Sequence, residues 1–300
     1  MDMLSISHVS KSFGSQKVLD DLSFTVPEHT VYGFIGQNGA GKTTTMKMVL
    51  GLLKMDEGTI QVNGQNVKYG QNNTNKLIGY LPDVPEFYGF MSPGEYLALC
   101  GEITGMRPEK IRERSDELLH LVGLENSRKR IQGFSRGMKQ RLGIAQALMN
   151  EPKLLICDEP TSALDPLGRK EILEILSSVR EHTTVIFSTH ILSDVERICD
   201  EIAFLHNGSV ALHGTLEEIR HMHRDHGFSV EFLRPQDAET FAGQFQGGEP
   251  VSSLGLLYRG KTQEDMNAAM SCILQNGLCL QRIEMLEPTL ESLFMEVIGK

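Results

Sequence analysis

The chain has 300 residues, 40% of them hydrophobic and 23% charged, which allows a large domain beside a smaller one, each with a real core. Its net charge of −10 argues against direct binding to nucleic acid and against unaided adhesion to anionic lipid, and no apolar run approaches the ~20 residues a membrane helix needs. Without a signal pattern or a C-x-x-C pair, the expectation is a soluble chain that stays in the cytoplasm, with Cys100, Cys157, Cys199, Cys272 and Cys279 as reduced core residues.

Leu4 and Ile6 alternate in a half-buried strand over 3–9, and Lys11-Ser12-Phe13-Gly14 turns with an aromatic at its tip. Leu22, Phe24 and Val26 alternate in a second strand, which Pro27 ends. Val31-Tyr32-Gly33-Phe34-Ile35 is a buried strand that runs into Gly36-Gln37-Asn38-Gly39-Ala40-Gly41-Lys42-Thr43-Thr44. A helix follows, with Met46, Val49, Leu50 and Leu53 on one face. A strand over 58–62 ends at Asn63-Gly64, a hairpin signal, so the early strands are expected to form an antiparallel sheet beside the Gly-rich loop.

Residues 76–82 form another strand, and the loop after it carries Asp83, Phe87, Tyr88 and Phe90. Ser92-Pro93-Gly94-Glu95 opens a helix with a capping box, and a second helix covers about 108–121 with Ile111, Leu118, Leu119 and Val122 apolar. A third begins at Phe134-Ser135-Arg136-Gly137-Met138, so 92–150 reads as an all-helical insert in an α/β pattern. Leu154-Leu155-Ile156-Cys157-Asp158-Glu159 suits a central parallel strand with its acids at the C-terminal edge. A helix over about 167–180 and a buried strand ending at His190 follow, then a hairpin around His206-Asn207-Gly208. From about 222 to 300 the texture changes to a separate small α/β unit, with strands at 228–233, 254–259 and 278–285, helices at 237–245 and 263–274, and a last helix from Pro288-Thr289.

Strand, Gly-rich loop and helix, in that order, make G-x-x-x-x-G-K-[ST] a phosphate-binding loop. The glycines let backbone N–H groups curl around phosphate oxygens, and the helix start adds roughly half a positive charge. Lys42 would reach the β- and γ-phosphates, and Thr43 and Asp158 would hold Mg²⁺. Glu159 suits a general base for the attacking water, and His190 a donor to the γ-phosphate.

On these residues, 1 to about 220 resembles the ATP-binding cassette (ABC) transporter ATPases. The resemblance implies a P-loop ABC cassette with a mixed sheet core, an antiparallel β subdomain and the helical insert, followed by a small C-terminal α/β domain at 222–300. It implies that Phe13 stacks on adenine and that Gly36, Asn38, Gly39, Ala40, Gly41, Lys42, Thr43 and Thr44 hold ATP. Phe134 to Met138 stands where the family's L-S-G-G-Q signature stands, so Ser135 and Gly137 would cap the ATP of a second copy in a head-to-tail dimer. Asp165 closes the loop that crosses that dimer, Glu159 is the catalytic glutamate and His190 the switch histidine.

Three departures stand out: Asp83 replaces the glutamine that touches Mg²⁺ and, shorter and charged, either reaches the ion through water or makes no contact with it; Arg136 replaces a glycine; and Met138 replaces the signature glutamine. The Phe-Ser-x-Gly-Met-x-Gln pattern is similar to drug and antibiotic exporters such as the bacitracin-resistance ATPases. The resemblance then implies an active ATPase that drives an integral membrane permease from the cytoplasmic face, bound neither to nucleic acid nor into the bilayer. A soluble ABC ATPase acting on ribosomes or nucleic acid is the competing class. Phe87, Tyr88 and Phe90 either pack into the helical insert or form a pocket for the permease. His221 to His226 reads as a solvated connector rather than a metal site, because its spacing shares no helix face.

Overall fold

Alternating apolar residues at the start of the chain build two strands of twelve residues, β1 (Asp2–Phe13) and β2 (Gln16–Pro27). The computed structural model describes residues 2–70, 73–125, 129–222, 227–286 and 290–298. The chain divides into two compact units, Met1–Leu216 and Glu217–Lys300.

In the first unit, β1 pairs antiparallel with β2 and with β4 (Glu57–Val62), and β5 (Gln65–Asn66) completes a sheet ordered β2-β1-β4-β5. The hairpin between β4 and β5 turns at Asn63 and Gly64, both at positive φ, as the sequence pair required. The turn after β1 is at Gly14 and Ser15, so Phe13 ends the strand instead of sitting at the tip.

The second sheet has six strands in the order β10-β9-β3-β8-β7-β6. These are β3 (Val31–Gly36), β6 (Ile78–Leu81), β7 (Leu154–Asp158), β8 (Thr184–Thr189), β9 (Glu201–His206) and β10 (Ser209–Thr215). All neighbours are parallel except the β9–β10 hairpin at the edge, so the sheet is mixed. β3, β7 and β8 are buried along their whole length, which is why they read as continuous apolar runs rather than alternating ones. The antiparallel sheet and α1 (Lys42–Val49) share one core with it: Phe24 stacks on Phe34 at 5.2 Å, and Leu4, Ile6, Met46, Ile60 and Ile156 are all buried.

The insert holds α2 (Pro93–Ile103), α3 (Pro108–Leu121) and α4 (Arg136–Leu148). Ser92 and Glu95 form the capping box at the start of α2, and Ile111, Leu118 and Leu119 are the buried side of α3. α4 lies close against β6, because Gly79 leaves no Cβ where one would stand 2.2 Å from the Ala147 carbonyl oxygen. α5 (Pro166–Ser178) joins β7 to β8, and the short α6 (Leu192–Ile198), which the sequence had not suggested, joins β8 to β9. α7 (Leu216–Met222) follows β10.

The second unit contains β11 (Gly227–Phe232), α8 (Pro235–Gln244), β12 (Glu249–Pro250), β13 (Gly255–Arg259), α9 (Gln263–Gln275) and β14 (Leu280–Leu286). Its antiparallel sheet is ordered β12-β13-β11-β14, the split β-α-β arrangement of a β-α-β-β-α-β unit. Phe228, Phe232, Phe241 and Tyr258 fill its core, with Phe228 stacked on Tyr258 at 4.8 Å. α10 (Leu290–Ile298) ends the described chain. The connector from His223 to His226 and the start of the last helix at Pro288-Thr289 lie outside the described residues. Of the five cysteines, all free, Cys157 and Cys199 are buried, whereas Cys100, Cys272 and Cys279 are only part-buried.

Candidate nucleotide site

Register brings three strand ends to one edge of the six-stranded sheet. Ile35 of β3 is level with Thr189 of β8, and Ser188 of β8 is level with Asp158 of β7. Residues that follow these ends therefore converge at the C-terminal edge, where open α/β sheets bind ligands. Those residues are the 36–44 loop, Glu159 and His190.

The loop leaves β3 and enters α1 through Gly41, whose φ is 109°. A side chain there would be strained, and its Cβ would stand 2.6 Å from Leu19 Cδ2. Gly41 caps α1 without a side chain, so the first N–H groups of this eight-residue helix are left for an anion. Lys42 is buried, and its Nζ donates to the Gly36 carbonyl oxygen at 2.6 Å and to that of Gln37 at 3.3 Å. The same Nζ stands 3.3 Å from Glu159 Oε1, near enough for charge pairing but out of line for a hydrogen bond.

Asp158 is buried and uses both carboxylate oxygens. Oδ1 accepts from Ser188 Oγ at 2.6 Å, and Oδ2 accepts from Thr43 Oγ1 at 2.8 Å. Ser188 Oγ also accepts from the Glu159 backbone N–H at 3.0 Å, so one hydroxyl fixes both acids. Ser188 escaped the sequence reading; its only signal was its place two residues before His190. Glu159 has a left-handed backbone, φ 48°, a strained state for a non-glycine residue that turns its side chain away from the direction of Asp158. Its Oε2 accepts from His190 Nδ1 at 2.9 Å. That contact sets the imidazole with Nδ1 as donor and leaves Nε2 for a second partner.

Thr43 Oγ1 and Asp158 Oδ2, 2.8 Å apart, are two hard oxygen donors of the kind that suits a small hard cation such as Mg²⁺. Among the described residues no three His, Cys, Asp or Glu side chains cluster to hold a metal. A cation here would therefore lean on phosphate oxygens and water, the usual habit of Mg²⁺.

Gln37, Asn38, Gly39, Gly41, Lys42, Thr43, Thr44, Asp83, Asp158 and Glu159 line a single cleft of about 330 Å³. Ala40 lines a neighbouring cleft with Val18 and Asn207. Burial, with the Asp158 charge adding to it, raises the Tyr80 phenol to about 12, so this β6 residue stays neutral.

Four expected residues stand apart from that cleft. Phe13 is 50% exposed at the end of β1, with Lys11 Nζ 5.4 Å from its ring centroid and Lys11 tied to Asp56 at 2.7 Å. Ser135 caps α4 by accepting from the Met138 N–H at 3.2 Å, and at Gly137 beside it an added Cβ would meet Leu164 Cδ2 at 3.9 Å. Asp165 caps α5, accepting from the Gly168 N–H at 2.9 Å. The Asp83 carboxylate, although it lines the cleft, accepts from Arg136 Nη2 at 3.3 Å.

A larger cleft of about 500 Å³ lies beside the first, lined by residues of the 83–89 loop with Ile131, Gln132, Arg136 and Lys139. The aromatic loop is divided between insert and surface. Phe87 meets Tyr96 of α2 edge-on at 5.0 Å, whereas Tyr88 and Phe90 are more than half exposed. A further network ties both flanks of the 162–165 loop to α6: Asp194 accepts from Thr161 Oγ1 and from Arg169 Nη2, each at 2.7 Å.

Comparison with known proteins follows the same lines. The family model described as ABC transporter matches residues 19–162. The chain is 37% identical to an uncharacterised ABC transporter ATP-binding protein, YxlF, of Bacillus subtilis (strain 168), over 99% of each chain. It is 34% identical to the bacitracin transport ATP-binding protein BcrA of Bacillus licheniformis, over 99% of this chain and 97% of that one. A solved ATP-binding subunit of an ABC transporter superposes with a TM-score of 0.66 at 35% identity, covering 73% of this chain and 92% of its own.

Proposed function

The chain belongs to the ABC transporter ATP-binding family, whose ATPase chemistry it shares, and from that premise we propose which residues do the work and on what. The observation that carries the reading is the convergence of Lys42, Asp158, Glu159 and His190 on one sheet edge. ATP lies with its phosphates on the 36–44 loop and its adenine against Phe13. Lys42 carries its charge to the β- and γ-phosphates. Thr43 and Asp158 hold Mg²⁺, which when bound offsets phosphate charge, and Asp83 borders the same cleft.

Glu159 orients the attacking water and takes its proton. His190, held by Glu159 through Nδ1, offers Nε2–H to the γ-phosphate when protonated and stabilises charge as the bond to the leaving group breaks. Glu159 and Lys42 neutralise one another across the cleft, so neither is a lone buried charge.

On this reading residues 1–220 are the ATPase domain, with 92–150 as its helical insert, and 222–300 an accessory domain. Two copies close head to tail on two ATP molecules, with Ser135 and Gly137 of one capping the phosphates of the other and Asp165 near the crossing. Closure and reopening move an integral membrane permease that exports a drug or peptide antibiotic. Among the described residues no helix is long and apolar enough to cross a membrane. Similarity over nearly the whole chain to BcrA, named for bacitracin transport, supports an antibiotic as cargo.

Affinity purification of the full chain from detergent-solubilised native membranes tests the partner. A polytopic membrane protein in stoichiometric yield is expected, and its identity would narrow the cargo. Recovery only with ribosomes or nucleic acid would overturn the transport assignment.

A further inference from the structure

Asp83 and Arg136 are two of the departures noted in the sequence, 53 positions apart, and the structure pairs them. Arg136 Nη2 donates to Asp83 Oδ1 at 3.3 Å, with both side chains close to half exposed. One helical turn further along α4, Gln140 is fully buried and its Nε2 donates to the Asp83 carbonyl oxygen at 2.7 Å. A third turn presents Gly143, where an added Cβ would stand 2.5 Å from Leu81 Cδ1, so α4 sits hard against the end of β6. One face of α4 thus grips residue 83 through both its carboxylate and its backbone carbonyl. Asp83 lines the nucleotide cleft with Lys42, Thr43 and Glu159, and it also lines the adjoining cleft with Arg136.

We propose that Asp83 and Arg136 are an exchangeable pair of positioning residues, through which the nucleotide on the 36–44 loop is coupled to the nucleotide that the second copy presents to α4. The inference rests on the head-to-tail pairing of copies proposed above. Arg136 is the first residue of α4, between Ser135 and Gly137. A phosphate arriving there competes with Asp83 for the guanidinium and wins, because Arg grips phosphate with two parallel charge-assisted hydrogen bonds, whereas the carboxylate holds it by one. When Arg136 leaves, Gln140 still fixes the Asp83 backbone, and the freed carboxylate turns to the cleft it lines. There it takes hydrogen bonds from water, including water on a bound cation. Binding at one end of α4's partner loop is thereby felt at the other, and the coupling is reciprocal.

The pair makes opposite predictions for its two members. In full-length Glu159→Gln protein, sedimentation velocity gives the ATP concentration at which half the chains are dimeric. Arg136→Gln is expected to raise it by roughly ten-fold, the loss of a charge-assisted contact. Asp83→Asn is expected to lower it by roughly two- to five-fold, since a half-exposed competitor for Arg136 is gone. Asp83→Asn added to Arg136→Gln is expected to give no such decrease. An ion pair that only holds the fold would move both single variants the same way, and that result, or no movement at all, overturns the proposal. So does a decrease with Asp83→Asn that persists in the Arg136→Gln background, which would mean simple charge removal from the cleft. Those outcomes leave the pairing of copies intact. A Glu159→Gln parent that stays monomeric at saturating ATP removes the pairing of copies, and the exchange with it.

Discussion

Glu159 holds His190 with one carboxylate oxygen, Oε2 to Nδ1 at 2.9 Å, while its other oxygen stands 3.3 Å from Lys42 Nζ. The groups proposed as base, donor to phosphate and phosphate-binding cation are thus one unit, whose contacts hold Glu159 in a strained left-handed backbone. Groups acting as a unit lose their effect together. Glu159→Gln and His190→Ala should each lower phosphate release by about 10²-fold or more while ATP still binds. The double variant should be little worse than the poorer single. Losses that multiply in the double variant would show that the two act separately.

Asp194 is buried and depends on Arg169 for its charge partner. Arg169→Met leaves that carboxylate with the Thr161 hydroxyl alone, at a cost of about 3 kcal/mol. Urea unfolding should show a lower midpoint. An unchanged midpoint would mean that Asp194 finds solvent or another cation.

Two glycine-to-alanine changes should move stability in opposite directions. At Gly79 the new Cβ would stand 2.2 Å from a backbone oxygen of α4, so β6 and α4 must separate, costing about 1–3 kcal/mol. At Gly94, in the first turn of α2, nothing lies within 4 Å, and alanine should add about 0.5–1 kcal/mol. Thermal melting of the two variants beside the parent reads both signs.

The Glu95 carboxyl is held below its ordinary value of 4.5, first by the Ser92 backbone N–H and then by the Ser92 hydroxyl and Arg130. A lowered folded value means that its stabilisation is complete above the unfolded value and is lost as pH falls through the folded one. Parent and Glu95→Gln should therefore differ in amide exchange at the start of α2 at neutral pH and converge in acid. A difference that persists in acid would place the effect outside the carboxylate.

What was legible in the sequence was local. The capping box at Ser92 and Glu95 and the Asn63-Gly64 turn are set by neighbours a few residues apart, and both appear as read. So do the buried parallel strands and the antiparallel early sheet. β12 has two residues, one of them proline, and α6 has seven without a side-chain cap, too little for periodicity to register. At the site, Lys42, Thr43, Asp158, Glu159 and His190 could be picked from their motifs. The Ser188 hydroxyl between the two acids, and the Arg136–Asp83 pair, join residues far apart in the chain and leave no spacing to read. Gly14 points to a turn with Phe13 at its tip, but the ladder with β2 extends to Gln16 and takes Phe13 into the strand.

If this cleft hydrolyses ATP with Lys42 as its phosphate cation, phosphate release from purified full-length protein depends on that one side chain. With Mg-ATP the parent should turn over, and Lys42→Ala, prepared identically, should lose at least about 10²-fold. A Lys42→Ala protein that releases phosphate at the parent rate, free of contaminating ATPase, would contradict that role for Lys42.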